Sequence, residues 1–497
     1  MNESHLSLNL SSFLDGAMTG GSRSVVSSLT MTSFYQITAS RSWLSTFLTS
    51  CLLLASFILL LSLVQFSSPS LAGTDDHYHI RFAELMRSEG LRPAFPWLPL
   101  TILNQREFYD HHFLFHVALI PFTAADLIQG GKWAGVIFPS LAFLSVWWLL
   151  RGQGVPFAGL WALGLLAVSS AFLYRMSMVR AQSLSLAVLV LGLHFLLTRK
   201  PRWLLPLSFV FVWTYDGFPL ILAVSGVYVL AVLLVERRLD LRPLVYTGAG
   251  VAMGLLVNPY FPQDVIFAAR HILPKVGDAT AVDVGNEWYP YRTATLLRNS
   301  PLALAAFLSG ALALGLQEKR MDTRTATAFL LAVLFGWMFF QSRRFVEYFP
   351  AFALIFSALA WAPILERSRQ AMNDLRAVGN LSWRAWFRRP VAGAWLPLVC
   401  LLLLLVPGMW SSIAGAQSSM QDAQPSTRYA AAAAWLVQNT PARSRLFQTD
   451  WDDFPRLFFY NTHNTYLVGL DPTYLQLSDA DLYERWVEIT GGEVENP

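Results

Sequence analysis

Residues 43–66 read WLSTFLTSCLLLASFILLLSLVQF, and the polar run Gly73-Thr74-Asp75-Asp76-His77-Tyr78-His79-Ile80-Arg81 follows shortly after. The first stretch carries no charged residue. A bilayer core needs roughly 20 apolar residues per helix, so this stretch predicts a membrane span. The second stretch then puts carboxylates and histidines at the membrane edge, where ionisable groups are costly and mark candidate functional sites. Working outward, further apolar runs occupy 133–150, 157–174, 184–198, 218–235, 301–316, 325–341, 345–364 and 391–410, with shorter ones at 203–214 and 244–257. Together they predict about eleven transmembrane helices. The 112–127 run is short and interrupted by Pro121, and reads as an interfacial or re-entrant segment.

Composition agrees. Of 497 residues, 54% are apolar and 14% charged, against about 25% charged in soluble domains, and the mean hydropathy is +0.43. A disordered chain, a collagen and a disulfide scaffold are excluded. The 18 Trp, 16 Tyr and 35 Phe suit membrane interfaces. Cys51 and Cys400 lie in apolar runs and read as small buried hydrophobes, not as a disulfide or metal pair.

Basic residues in the short loops set orientation. With the N-terminus in the cytoplasm, half of the 36 Lys and Arg residues fall on the inner side. Three sizeable segments are then extracytoplasmic: 67–131, 258–300 and 411–497. The expected organisation is a disordered cytoplasmic tail over 1–42, a membrane domain over 43–410, and a C-terminal extracytoplasmic domain over 411–497. The tail is rich in Ser, Thr and Gly. Ser70-Leu71-Ala72 lies too far along to end a signal peptide, so the first span reads as an uncleaved anchor. The basic 366–390 loop, with Arg384, Arg388 and Arg389 beside Trp386 and Phe387, reads as topology control and anionic-lipid contact, not as a nucleic-acid site. In the C-terminal segment, helices are expected at 427–439, 453–460 and 479–490 and strands at 445–449 and 466–469, a small α/β domain that is incomplete or leans on the membrane part. The fold class is an all-α polytopic membrane protein with that appendage.

Five of the nine histidines fall in two outer runs, one around Asp75 and one at Phe108-Tyr109-Asp110-His111-His112 with His116 beyond. Three chemistries fit. Asp75 or Asp76 acts as a base or holds a divalent cation; His77, His79, His111 and His112 bind zinc; or the runs are ordinary hydrogen-bonded loops. Other polar residues expected on the same face are Arg175, Arg180, Asp216, Glu287, Arg343 and Arg344. Each alone reads as an interface anchor or local salt bridge. Together they suit an anionic lipid-linked substrate, with Arg binding phosphate and a carboxylate activating a nucleophile.

These residues resemble those of GT-C membrane glycosyltransferases, and in particular the catalytic subunit of oligosaccharyltransferases, over about residues 43–470. That family places an Asp in a D-x-Y-Y-H-x-R-like setting of its first outer loop, and Asp75 takes that position in Asp75-Asp76-His77-Tyr78-His79-Ile80-Arg81. The family's second loop carries Arg and Ser before a D-x-D pair. Arg175 and Ser177 match, but Gln182 and Leu184 stand where the acids belong. Glu287 resembles the Glu that closes over the family's site. Arg344-Phe345 resembles a pair that contacts the donor diphosphate. Thr449-Asp450-Trp451-Asp452-Asp453 resembles the acceptor-reading W-W-D motif without its first Trp.

The resemblance implies glycosyl transfer from a polyprenyl-phosphate-linked donor to a protein, lipid or glycan acceptor at the outer face of a prokaryotic inner membrane. Together with the outer polar runs, it leads to the expectation of Asp75, Asp76, Asp110 and Glu287 as catalytic acids, and of Arg175, Arg344, Asp216, His79, Trp451 and Asp452 as substrate-binding residues. Asp75 is the remaining ligand for a divalent cation (Mn or Mg), an expectation weakened by the missing D-x-D acids. The alternatives are a transporter or flippase of a lipid-linked or small anionic substrate, and a catalytically degenerate family member.

Overall fold

The computed structural model describes residues 23–274, 284–317, 320–377 and 391–494. The chain divides into two units at residue 52, inside the helix Arg23–Gln65, and the architecture below is that of residues 53–497.

The protein is a helical membrane protein. Among the described residues, five helices are long and apolar enough to cross a bilayer: Leu44–Gln65, Leu127–Gly152, Pro219–Glu236, Thr323–Gln341 and Phe349–Arg367. Two bent pairs, Ala158–Leu166 with Ser170–Met176 (86°) and Thr293–Asn299 with Pro301–Gly315 (83°), raise the number to seven if each is one span. Three of the other expected spans are short helices, and the 391–410 run, within the helix Val391–Gln421, lies partly outside the described side chains. Gln182–Leu197 has 16 residues, Leu204–Thr214 has 11 and Arg242–Leu256 has 15. At about 1.5 Å per residue these fall short of a hydrocarbon core of about 30 Å. The 157–174 run bends because Ser169 is extended and its hydroxyl caps the second half, accepting from Phe172 N at 3.0 Å.

Close approach between the short helices depends on glycine. Arg242–Leu256 packs on Leu204–Thr214. A Cβ at Gly250 would lie 2.3 Å from Leu205 O, and one at Gly254 would lie 2.9 Å from Val212 Cβ. Small residues four apart let helices meet in this way inside a membrane.

The 112–127 run forms the short helix Phe113–Leu119 and a turn, Ile120–Thr123, that contains Pro121. Cys51 is exposed on its helix, not buried, because the Leu44–Gln65 span shows most of its surface to the surroundings, 22% being buried. The side chain of Cys400, residues 1–22 of the expected tail and the basic cluster at 384–389 lie outside the described residues.

In the C-terminal segment the helices Ala430–Asn439, Phe454–Tyr460 and Ala480–Thr490 lie close to expectation, with Thr473–Ser478 added. The strands shrink to Arg445–Leu446 and Thr465–Tyr466, a parallel pair. Two such short strands are not stable alone. Support comes from an aromatic cluster in which Phe454, Phe458, Tyr466 and Tyr474 pack with Tyr78, Phe82, Phe95, Trp97, Tyr260 and Phe267. Tyr466 N donates to Trp97 O at 2.8 Å, and Trp97 Nε1 donates to Thr462 O at 2.8 Å.

Candidate active site

Asp75 opens the helix Asp75–Glu89, where a negative charge is favoured by the helix dipole. Its Oδ2 is ion-paired with Arg180, which stands in the turn before Gln182–Leu197. Arg180 Nη1 also meets Glu287 Oε2 at 3.1 Å. Arg175 Nη1 reaches the same oxygen at 2.8 Å, and its Nε reaches Glu347 Oε1 at 2.8 Å. Arg344 Nη1 binds Glu287 Oε1 at 3.0 Å, while its Nη2 donates to Tyr215 Oη at 2.9 Å. The Trp288 ring stacks 4.8 Å from the Arg344 guanidinium. Three acids and three arginines from four separate segments therefore close into one network.

The loop carrying Glu287 is tied down: Ser342 Oγ donates to Glu287 O at 2.9 Å, and Arg343 N donates to Tyr289 O at 3.1 Å. Burial would raise the Glu287 carboxyl, but the guanidinium groups of Arg175, Arg180 and Arg344 outweigh it and hold it well below the usual carboxylate range. Two oxygens, Asp75 Oδ1 and Glu347 Oε2, are buried without a hydrogen-bond partner. Unmet buried acceptors are costly, and a hydroxyl or amide donor of a substrate would satisfy them.

Asp452 joins through Thr74, whose Oγ1 donates to Asp452 Oδ2 at 3.2 Å and accepts from Arg456 Nη1 at 3.2 Å. Burial, and then the neighbouring Asp75 charge, push the Asp452 carboxyl up to about 7. Trp451 lies beside Gly285, where a Cβ would meet its ring at 3.5 Å.

Asp76 is fully buried and accepts from Gly73 N at 2.9 Å. Burial raises its carboxyl, so it braces the loop before Asp75. Asp110 belongs to a second network: both its oxygens face His116 Nδ1, at 2.9 and 2.8 Å, and His116 Nε2 lies 2.8 Å from His79 Nδ1. With His116 donating to Asp110, His79 donates to His116. Burial and the neighbouring His116 and Arg180 hold His79 well below the usual histidine range. Asp216 makes none of these bonds, though its neighbour Tyr215 does.

Glu347 is the residue that the sequence reading passed over, counted within the apolar 345–364 run. A carboxylate in such a run was the available signal. The short turn Arg343–Glu347 places it before the helix and not within it. Arg180, read from sequence as an interface anchor or local salt bridge, is the partner of Asp75.

The residues do not fit the expected divalent cation. The Arg180 guanidinium fills the place beside Asp75. Gln182 Nε2, a donor, faces Glu347 Oε1 at 3.4 Å, and Leu184 packs into the core. Among the described residues no group of three or more His, Cys, Asp or Glu could hold a metal ion. The zinc reading meets the same difficulty: His77 Nδ1 donates to Thr74 O at 3.1 Å and His79 is bonded to His116.

No protein-family model and no curated protein matches the chain by sequence. Solved structures do match. The archaeal oligosaccharyltransferase AglB from Archaeoglobus fulgidus, in complex with an inhibitory peptide and a dolichol-phosphate, superposes with a TM-score of 0.59 at 14% identity, over 84% of this chain and 64% of that one. The same oligosaccharyltransferase in complex with Zn and sulfate gives 0.57 at 16% identity, over 84% and 62%. ArnT from Cupriavidus metallidurans, bound to undecaprenyl phosphate, gives 0.53 at 17% identity, over 89% and 88%. The chain has a GT-C, oligosaccharyltransferase-like fold. It spans 64% of the length of the oligosaccharyltransferase.

Proposed function

We propose that this protein is a membrane glycosyltransferase, moving a sugar or oligosaccharide from a polyprenyl-phosphate-linked donor to a protein, lipid or glycan acceptor. The observation that carries the reading is the Asp75–Arg180–Glu287–Arg175–Glu347–Arg344 network. Support comes from fold neighbours solved with dolichol-phosphate and undecaprenyl phosphate. Orientation follows the loop charges: about eleven membrane crossings or part-crossings, the N-terminus in the cytoplasm, and the network at the outer face of a prokaryotic inner membrane, covered by the 411–497 domain.

In this reading the donor phosphate displaces the Glu287 carboxylate as partner of Arg344 and Arg175, whose forked donors suit phosphate. Asp75, through its free Oδ1, accepts the acceptor's proton. The acceptor atom bonds to the anomeric carbon as the bond from that carbon to the phosphate oxygen breaks. The electron pair leaves on the phosphate, where fixed guanidinium groups stabilise the developing charge. Those groups supply this charge here because the residues beside Asp75 do not fit Mn or Mg. Asp452 and Trp451 border the acceptor side. Asp110 acts at one remove through His116 and His79, while Asp76 and Asp216 support the loops.

The test gives purified protein radiolabelled polyprenyl-phosphate sugars, with Mn and with chelator, beside Asp75→Asn. Wild type should transfer label, and the variant should lose about 10²- to 10⁴-fold in rate. Equal turnover by the variant would refute the assignment. Movement of intact donor across vesicles without sugar release would favour the flippase reading, and tight binding without turnover a degenerate family member.

A further inference from the structure

Away from the acid–arginine network, the C-terminal segment meets the first outer loop in an open cleft of about 520 Å³. Its walls carry Arg106, Arg443 and Arg445, all exposed, and none of its lining residues is acidic. Among the described residues these three side chains make no ion pair or hydrogen bond. The nearby acid, Glu107, accepts instead from Asn104 Nδ2 at 2.8 Å. The contrast with Arg175, Arg180 and Arg344, each bound to at least one carboxylate, is sharp.

The cleft is also rigid. Ile102 N donates to Tyr474 O at 3.1 Å, and Tyr466 N to Trp97 O at 2.8 Å, pinning its two walls together. Pro96 and Pro99 stiffen one wall, and Arg445 pairs with Thr465 in the other. Arg443 has a φ of 65°, a left-handed conformation uncommon for residues other than glycine, and its N–H is fixed to His463 O at 2.8 Å.

We infer that this cleft binds a ligand bearing two or more phosphate groups, by its headgroup. Three uncompensated guanidinium groups in one concavity concentrate anions, and their forked donors match phosphate oxygens. The only apolar lining residues, Pro96 and Pro99, form no wall for an acyl chain, and no aromatic ring is present for base stacking. The site is separate from the proposed transfer centre and does not depend on that function. Two sources share this chemistry, a soluble sugar bisphosphate and an anionic lipid headgroup.

The experiment titrates the full-length protein in neutral detergent with glucose 1,6-bisphosphate by calorimetry, and in nanodiscs measures enrichment of cardiolipin, which carries two phosphates, over phosphatidylcholine. The triple variant Arg106→Gln/Arg443→Gln/Arg445→Gln is compared with Arg344→Gln and with Arg445→Lys, and melting of each variant reports folding. Because all three arginines are exposed, the triple variant should melt like wild type. Its affinity should fall roughly tenfold or more, with Arg344→Gln unchanged and Arg445→Lys intermediate. Binding of the bisphosphate identifies a soluble sugar phosphate, and lipid enrichment alone identifies a headgroup. Absence of both, equal binding by the triple variant, or loss through Arg344→Gln alone would overturn the inference.

Discussion

Two pairs of arginines, one pair at each end of the helical bundle, have carboxylate partners at very different sequence distances. At the end expected in the cytoplasm, Arg242 meets Asp240 at 2.7 Å and Arg324 meets Asp322 at 2.9 Å, each two residues away, with the Arg side chains 69% and 47% exposed. At the other end, Arg344 meets an acid 57 residues away and Arg175 one 172 residues away, with side chains 22% and 13% exposed. The first kind of pair forms wherever a short loop carries both charges and contributes little. The second kind requires helix packing to bring distant connections together, and its members are partly desolvated, so removing one leaves the others badly placed.

The largest expected effect comes from breaking the hub of the second kind. Glu287→Gln leaves three guanidinium groups facing one another, and should lower stability by about 2–4 kcal/mol as well as abolishing transfer. Thermal melting in detergent checks this; a shift no larger than that of Arg242→Gln would remove the distinction between the two ends.

A smaller effect tests Asp452, the half-buried acid beside the network. The Asp452 carboxyl is pushed up to about 7 from an ordinary 3.8, by burial first and then by Asp75. Between these values the folded protein keeps a proton that the unfolded chain releases. The contribution of this group to stability is therefore full below about pH 4 and is lost as pH rises through 7. Asp452→Asn should gain about 2 kcal/mol at pH 8 and nothing at pH 4. Melts at both pH values decide it, and a gain of equal size at pH 4 would contradict the assignment.

The smallest effect lies at the other end. Arg242→Gln should leave both the melting temperature and transfer unchanged, since its pair with Asp240 is local and open to solvent. A clear loss of activity would show that the loop charges do more than set orientation.

Much of this was legible in the chain. The 43–66 run and its successors identified a helical membrane protein, because hydropathy is summed along consecutive residues. Asp75, Glu287, Arg175 and Arg344 stood out because charged groups at a membrane edge are costly, and they do converge. Less legible was Glu347, hidden in an apolar run until a short turn placed it ahead of its helix. The strands at 445–449 and 466–469 were also overread: their pairing depends on a neighbouring wall of aromatic residues and not on their own alternation.

The sequence by itself determined the solvent of this protein, the approximate helices and the small set of acids and arginines between them, since these depend on local composition and spacing. The tertiary structure alone decided the partners. Arg180 lies beside Asp75, Gln182 faces Glu347, and Asp110 reaches His79 through His116. Such contacts depend on how closely helices approach, as at Gly250 and Gly254, and on which connections that packing brings within hydrogen-bond distance, neither of which is encoded in any single stretch of the chain.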